Sequence, residues 1–159
     1  MIMLDQNYEG FSKNEAMELL DLAIKYNPKC GQAFFYKALL YEDETCEFFN
    51  IEKVLENYDF AIDCNFPELA KAYMNKAILL SNKENYQYFN ITEALKLYDL
   101  AIEKNPKSDE AYFNKAILTN NECNNIQEAI QLYDKAIECN PNNLKAYYNK
   151  AMLLQDQDY

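Results

Sequence analysis

The stretch ITEALKLYDLAIEKNPKSDEAYFNKAILT, residues 91–119, decides the fold. Its first half, ITEALKLYDLAI, spaces apolar residues three and four apart, as on one face of an α-helix. Asn105-Pro106 then ends the helix, because proline keeps the residue before it out of the helical region. A second apolar segment closes on FNKAILT at Phe113–Thr119. That closing phrase returns as FYKALLY at Phe35–Tyr41, MNKAILL at Met74–Leu80 and YNKAMLL at Tyr148–Leu154. The opening helix recurs as NEAMELLDLAI at Asn14–Ile24, IEKVLENYDFAI at Ile51–Ile62 and IQEAIQLYDKAI at Ile126–Ile137. Self-similarity of this kind describes stacked units, none of which buries its apolar face alone.

Start and stop signals agree with the periodicity. Ser12 with Glu15, Asn90 with Glu93 and Asn125 with Glu128 have capping-box spacing. Phe49 and Phe89 precede the caps Asn50 and Asn90, where a hydrophobic staple sits. Pro28, Pro67, Pro106 and Pro141 follow the opening helices. The closing helices run through Gln32–Tyr41, Glu68–Leu80, Asp109–Leu118 and Leu144–Leu154. The pattern predicts an all-α chain with no strand.

These residues resemble the tetratricopeptide repeat, a helix-turn-helix unit. The family's small residue in the first helix corresponds to Ala38, Ala77, Ala116 and Ala151. Its two small positions in the second helix correspond to Ala16 and Ala23, Val54 and Ala61, Ala94 and Ala101, and Ala129 and Ala136. The aromatic between them is Tyr58, Tyr98 and Tyr133, with Leu20 departing; the large residue opening the first helix is Phe34, Tyr73, Tyr112 and Tyr147. Small residues let helices touch while aromatics fill the gaps between them. The resemblance implies a right-handed α-solenoid of about eight antiparallel helices, roughly four repeats. It covers residues 12–155, between an N-terminal extension at 1–11 and a tail at 156–159. Successive AYxNKA copies lie 39 and then 35 residues apart, against about 34 in the usual unit. The excess falls in the turns Glu42–Asn50 and Ser81–Asn90. The array also begins with a second-type helix and ends with a first-type one, which leaves both terminal helices without a hairpin partner.

Composition narrows the function. The chain has 159 residues, half of them apolar, and a net charge of −11; all fifteen cations are Lys. Without His there is no Ser-His or Cys-His nucleophile pair and no imidazole ligand. Without Arg there is no bidentate fork for phosphate or carboxylate. An acidic chain of this kind is poorly suited to nucleic acid, whose phosphates demand cations. Neither a phosphate-binding glycine loop nor a GxSxG is present, so an enzyme is the least expected class. Cys30, Cys46, Cys64, Cys123 and Cys139 form no CxxC and are odd in number. They read as reduced cysteines, with no metal or cofactor expected and a cytoplasmic setting. The start MIMLDQNYEGF has no cationic region or long apolar run of a secretory signal, and no stretch approaches a membrane span. The sequon at Asn90 is read as unused.

Within the family the first-type helices line a concave groove. The resemblance puts Phe35, Leu39, Met74, Ile78, Phe113, Ile117, Tyr148 and Met152 there, with burial between neighbouring units as the equally weighted alternative for some of them. Asn75, Asn114 and Asn149 repeat at one helical position and correspond to an asparagine ladder that holds an extended peptide in some members. An amide both donates and accepts, so it grips a backbone without reading sequence; a solvated asparagine in a chain with 20 of them is the plainer reading. The Lys, Asn and Arg set with which other members clamp a C-terminal carboxylate is missing, because Phe35 and Leu39, or Met74 and Ile78, occupy its slots. Lys37, Lys76, Lys115 and Lys150 form a row whose stems are expected to cover apolar surface with the ammonium in water. The long turns carry Glu42, Asp43, Glu44, Glu47, Phe48 and Phe49, then Tyr86, Tyr88 and Phe89, an acidic and aromatic edge suited to a basic partner or, though in no EF-hand spacing, to a divalent ion; a solvated loop with a staple is the plainer reading.

The expected function is a non-catalytic adaptor or scaffold whose groove binds an extended peptide or amphipathic helix of a protein partner, a basic one included. The alternative is a structural subunit of a large assembly, docking or self-associating through terminal helices and long turns.

Overall fold

The structure is a computed structural model and describes residues 12–43, 49–85 and 87–156. The extension at 1–11, residues 44–48 (with Glu44, Cys46, Glu47 and Phe48), Tyr86 and residues 157–159 lie outside the described residues. Eight α-helices and no strand occur among the described ones. They are α1 Lys13–Tyr26, α2 Gly31–Glu42, α3 Ile51–Asp63, α4 Leu69–Ser81, α5 Ile91–Lys104, α6 Asp109–Cys123, α7 Ile126–Cys139 and α8 Leu144–Asp156, with a 3₁₀ turn at Lys83–Asn85. The chain groups into two compact units, Met1–Pro67 and Glu68–Tyr159. In the first, α2 packs against α1 and α3; in the second, α4 to α8 pack in succession.

The helix ends show why the turns hold. Ser12 forms the reciprocal capping box, its hydroxyl accepting from Glu15 N (3.1 Å) and the Glu15 carboxylate from Ser12 N (2.9 Å). Asn90 and Asn125 cap Glu93 N and Glu128 N at 3.0 and 3.2 Å, but the glutamate does not bond the backbone amide of either cap; Glu128 instead accepts from Asn125 Nδ2 at 2.8 Å. The backbone amide is already used: Asn90 N donates to Leu80 O at 2.8 Å and Asn125 N to Thr119 O at 3.3 Å. Asn50 repeats the arrangement, donating to Tyr41 O at 3.0 Å. The expected box is thus replaced by a bond to the last turn of the preceding helix, which closes the hairpin however long the intervening turn is.

At the opposite end the asparagine before proline does more than stop the helix. Asn27, Asn105 and Asn140 donate their backbone N–H back to Ala23, Ala101 and Ala136. Their side-chain Oδ1 atoms accept from Lys29, Lys107 and Asn142 N at 3.1, 3.2 and 3.0 Å. This turn satisfies backbone groups that proline leaves without partners. The second junction, after α3, differs, because Phe66 stands between Asn65 and Pro67. Asn65 takes φ 49°, in the left-handed region, and Phe66 is buried against Phe35 with ring centroids 5.4 Å apart.

From α2 to α7 the core follows the small-residue positions, whereas Ala16 and Ala23 of α1 are only half-buried. Ala38, Ala77, Ala116, Val54, Ala61, Ala94, Ala129 and Ala136 have no exposure, and Ala101 almost none. Leucine at Ala101 is expected to overpack that contact and cost about 1–3 kcal/mol, read as a lower denaturant midpoint; an unchanged midpoint would sink the packing assignment. Thr119 is buried and its Oγ1 has no hydrogen-bond partner among the described residues. Thr119→Val keeps the shape and removes that desolvated hydroxyl, so stability should rise by about 1 kcal/mol in the same denaturation assay.

Candidate functional site

The repeated tyrosines lie beneath the helix surfaces, and one of them, Tyr98, lines the candidate site. Tyr58, Tyr98 and Tyr133 are all buried. Each hydroxyl finds a different partner: Tyr58 donates to Glu42 Oε2 (2.9 Å), Tyr98 bonds Ser81, and Tyr133 accepts from Asn149 Nδ2 (3.3 Å). Burial pushes the Tyr98 phenol up, with Ser81 opposing and the Glu110 charge adding to the rise. Burial likewise raises Tyr133, against the hydrogen bond from Asn149. Tyrosines shifted in this direction stay neutral and serve as packing and hydrogen-bonding groups.

The lysine row is engaged inside the chain. Lys37, Lys115 and Lys150 pair with Asp21, Asp99 and Asp134 at 2.5, 2.6 and 2.5 Å. Each pair joins a first-type helix to the second-type helix before it, so the expected solvent-facing ammonium is corrected for these three. The signal was in the sequence, since every second-type helix carries an aspartate in LDLA, YDFA, YDLA or YDKA.

In the second unit, Ile78, Asn114 and Ile117 come together. They line a cavity of about 150 Å³ with Ser81, Tyr98, Leu118, Asn121 and Glu122. Ile78 is 36% exposed, so this apolar wall faces solvent. Lys83, in the 3₁₀ turn, reaches Glu122 Oε1 at 2.8 Å. Of this lining, the sequence pattern singled out Ile78, Asn114 and Ile117 as groove residues; Ser81, Asn121 and Glu122 come from helix ends and show no repeat signal.

The remaining groove candidates divide. Phe35 and Met74 are buried in their own units and present no surface, the alternative that the sequence left open. Leu39 and Phe113 are half-buried, and the Phe113 ring leans on Tyr133 at 5.9 Å. Tyr148 and Met152 are exposed on α8. Asn75 and Asn149 are half-buried. Of the turn residues, Glu42 holds Tyr58 and Asp43 pairs with Lys13, so neither acid is a free docking charge. Phe49 is exposed, while Tyr88 and Phe89 are half-buried. Cys30, Cys64, Cys123 and Cys139 are free thiols. No described helix is long and apolar enough to cross a membrane.

Paired helices with small residues at every crossing and a tyrosine beneath each hairpin define an α-helical repeat protein. Residues 97–131 and 132–158 match the family model described as tetratricopeptide repeat. No curated protein matches the chain in sequence. Among solved structures, MamA 41-end from Desulfovibrio magneticus RS-1 is similar at 16% identity and TM-score 0.70, covering 92% of this chain and 77% of its own. The first repeat domain of Spaghetti (RPAP3), bound to the HSP90 peptide SRMEEVD, is similar at 17% identity and TM-score 0.66, covering 81% of this chain and 96% of its own. YrrB, described as having an unusual peptide-binding site, gives 18% identity and TM-score 0.69 over 92% of this chain and 70% of its own. Residues 97–158 thus carry two tetratricopeptide repeats in sequence, and the chain shares the fold of these repeat structures along most of its length.

Proposed function

We propose that the chain is a non-catalytic interaction module that holds a segment of a protein partner along its first-type helices. The observation that carries this reading is the cavity in the second unit, where exposed Ile78 and half-buried Ile117 share the lining with the Asn114 amide. Apolar wall and amide together suit a peptide, because one takes its side chains and the other its backbone. RPAP3 and YrrB, both described with peptide sites, support the reading through their shared fold. An acidic peptide like SRMEEVD is the wrong match for this chain: its net charge is −11 and it has no Arg. A basic or neutral segment fits better.

The test compares capture from native lysate by the wild-type chain and by Asn75→Ala/Asn114→Ala/Asn149→Ala, read by mass spectrometry. Partners lost from the variant, with its circular dichroism unchanged, are the expected result. Equal retention would move binding away from this face.

A second reading has its own observation. Ala151 is exposed on α8, whereas Ala38, Ala77 and Ala116 at the same repeat position are fully covered. Tyr148 beside it is 66% exposed. That open apolar face suits docking into a larger assembly. Under this reading Tyr148→Glu/Met152→Glu abolishes capture while the asparagine variant retains it.

A further inference from the structure

We propose that the cavity beside Glu122 receives a lysine or arginine side chain of the bound segment, an inference that rests on the groove reading above. The cavity lining combines apolar Ile78, Ile117 and Leu118 with one carboxylate, Glu122, beside the neutral polar groups of Ser81, Tyr98, Asn114 and Asn121. Its volume of about 150 Å³ is that of a site which holds one small organic molecule. A long cationic side chain has the matching anatomy, an aliphatic stem that packs on apolar surface and a charged head that does not. The chain's charge of −11 favours such a partner from long range as well.

The ion pair at the cavity shows which charge is fixed. The Glu122 side chain is 15% exposed, while its partner Lys83 is 67% exposed and reaches in from the 3₁₀ turn. Lys83 is not one of the residues that line the cavity. The carboxylate is thus the sheltered element, and Lys83 a loosely held counter-ion of the kind that contributes little on a surface. A cation arriving through the cavity with its stem desolvated would displace Lys83 and leave it in water. Asn114 and Asn121 stand in the lining to take the adjacent backbone.

The test selects a random-peptide phage library on the full chain, then measures binding of an enriched peptide by fluorescence polarisation. Enriched peptides are expected to share Lys or Arg at one position, and norleucine there should weaken binding about tenfold. Glu122→Gln should weaken the parent peptide by a similar factor and leave the norleucine peptide unaffected, so that the two losses do not add. Lys83→Ala should strengthen binding about twofold or more by removing the competitor. Peptides that bind through Asn114 with no cation preference would overturn this inference and leave the groove reading standing. Additive losses would also overturn it, by showing that Glu122 acts elsewhere. Selection of no peptide at all would overturn both.

Discussion

Tyr58→Ala is expected to cost about 3–5 kcal/mol of folding free energy, the largest single effect predicted for the first unit. Tyr58 has no exposure, its ring lies 5.9 Å from that of Phe35, and small neighbours Val54 and Ala61 are themselves fully covered. None of these can move into the vacated space without leaving its own contacts, so truncation leaves a cavity. The variant also strands a carboxylate. Burial holds the Glu42 carboxyl above the usual carboxylate range, and the Tyr58 hydrogen bond pulls it part of the way back. Tyr58→Phe isolates that second effect. It should cost about 1 kcal/mol at neutral pH, where Glu42 must be charged without its donor. A raised carboxyl pKa means that the folded state binds the proton more readily than the unfolded one. Its contribution to stability is therefore full at low pH and is lost as pH rises through the folded-state value. The Phe variant raises that pKa further, so its penalty should shrink as pH falls below the carboxylate range. Urea denaturation at neutral and acid pH reads both effects; a penalty independent of pH would mean that the hydroxyl and Glu42 are uncoupled.

Why the fold was legible in the sequence, and the site only in part, has a physical reason. Helix faces, caps and prolines act within a turn or two of the chain, so their signals sit close together. Asn105-Pro106 and Asn140-Pro141 announced their turns, and the buried alanines announced the crossings. The site depends on which side of a helix is left uncovered, and neighbouring residues differ sharply in this. Met74 is buried and Ile78 exposed, one helical turn apart on the same helix. The cavity adds Ser81 and Glu122 from the ends of α4 and α6, which meet only in three dimensions. Capping showed the same limit: the Asn-x-x-Glu spacing was correct, yet the cap amide of Asn90 had a better partner in Leu80 O. The lysine row was visible and its aspartates were visible, but the pairing needs two helices at once.

The inserted Phe66 is a further feature whose consequence sequence alone did not reveal, and Gly31→Ala exposes it. A Cβ at Gly31 would lie 2.9 Å from both Cys64 Cβ and Phe66 Cβ, and 3.1 Å from Ala61 O. Alanine ordinarily stabilises a helix over glycine by up to about 1 kcal/mol. Here that gain is outweighed, because a Cβ and a carbonyl oxygen are tied to the backbone and cannot rotate aside. Overpacking of this sort costs about 1–3 kcal/mol, so the substitution should destabilise despite better helix propensity. The second unit carries a side chain at every copy of this position: Ala70, Asp109 and Leu144. The Asp109 Oδ2 accepts from Asn140 and Asn143 Nδ2, both at 2.9 Å. In the first unit the inserted Phe66 takes the equivalent space, and only a residue without a side chain leaves room for it. Since the obstruction is Cβ to Cβ, trimming the Phe66 ring should not relieve it. Gly31→Ala/Phe66→Ala is therefore expected to be less stable than Phe66→Ala alone. A double variant as stable as the single one would show that the ring, and not the backbone path around Asn65, excludes the extra methyl.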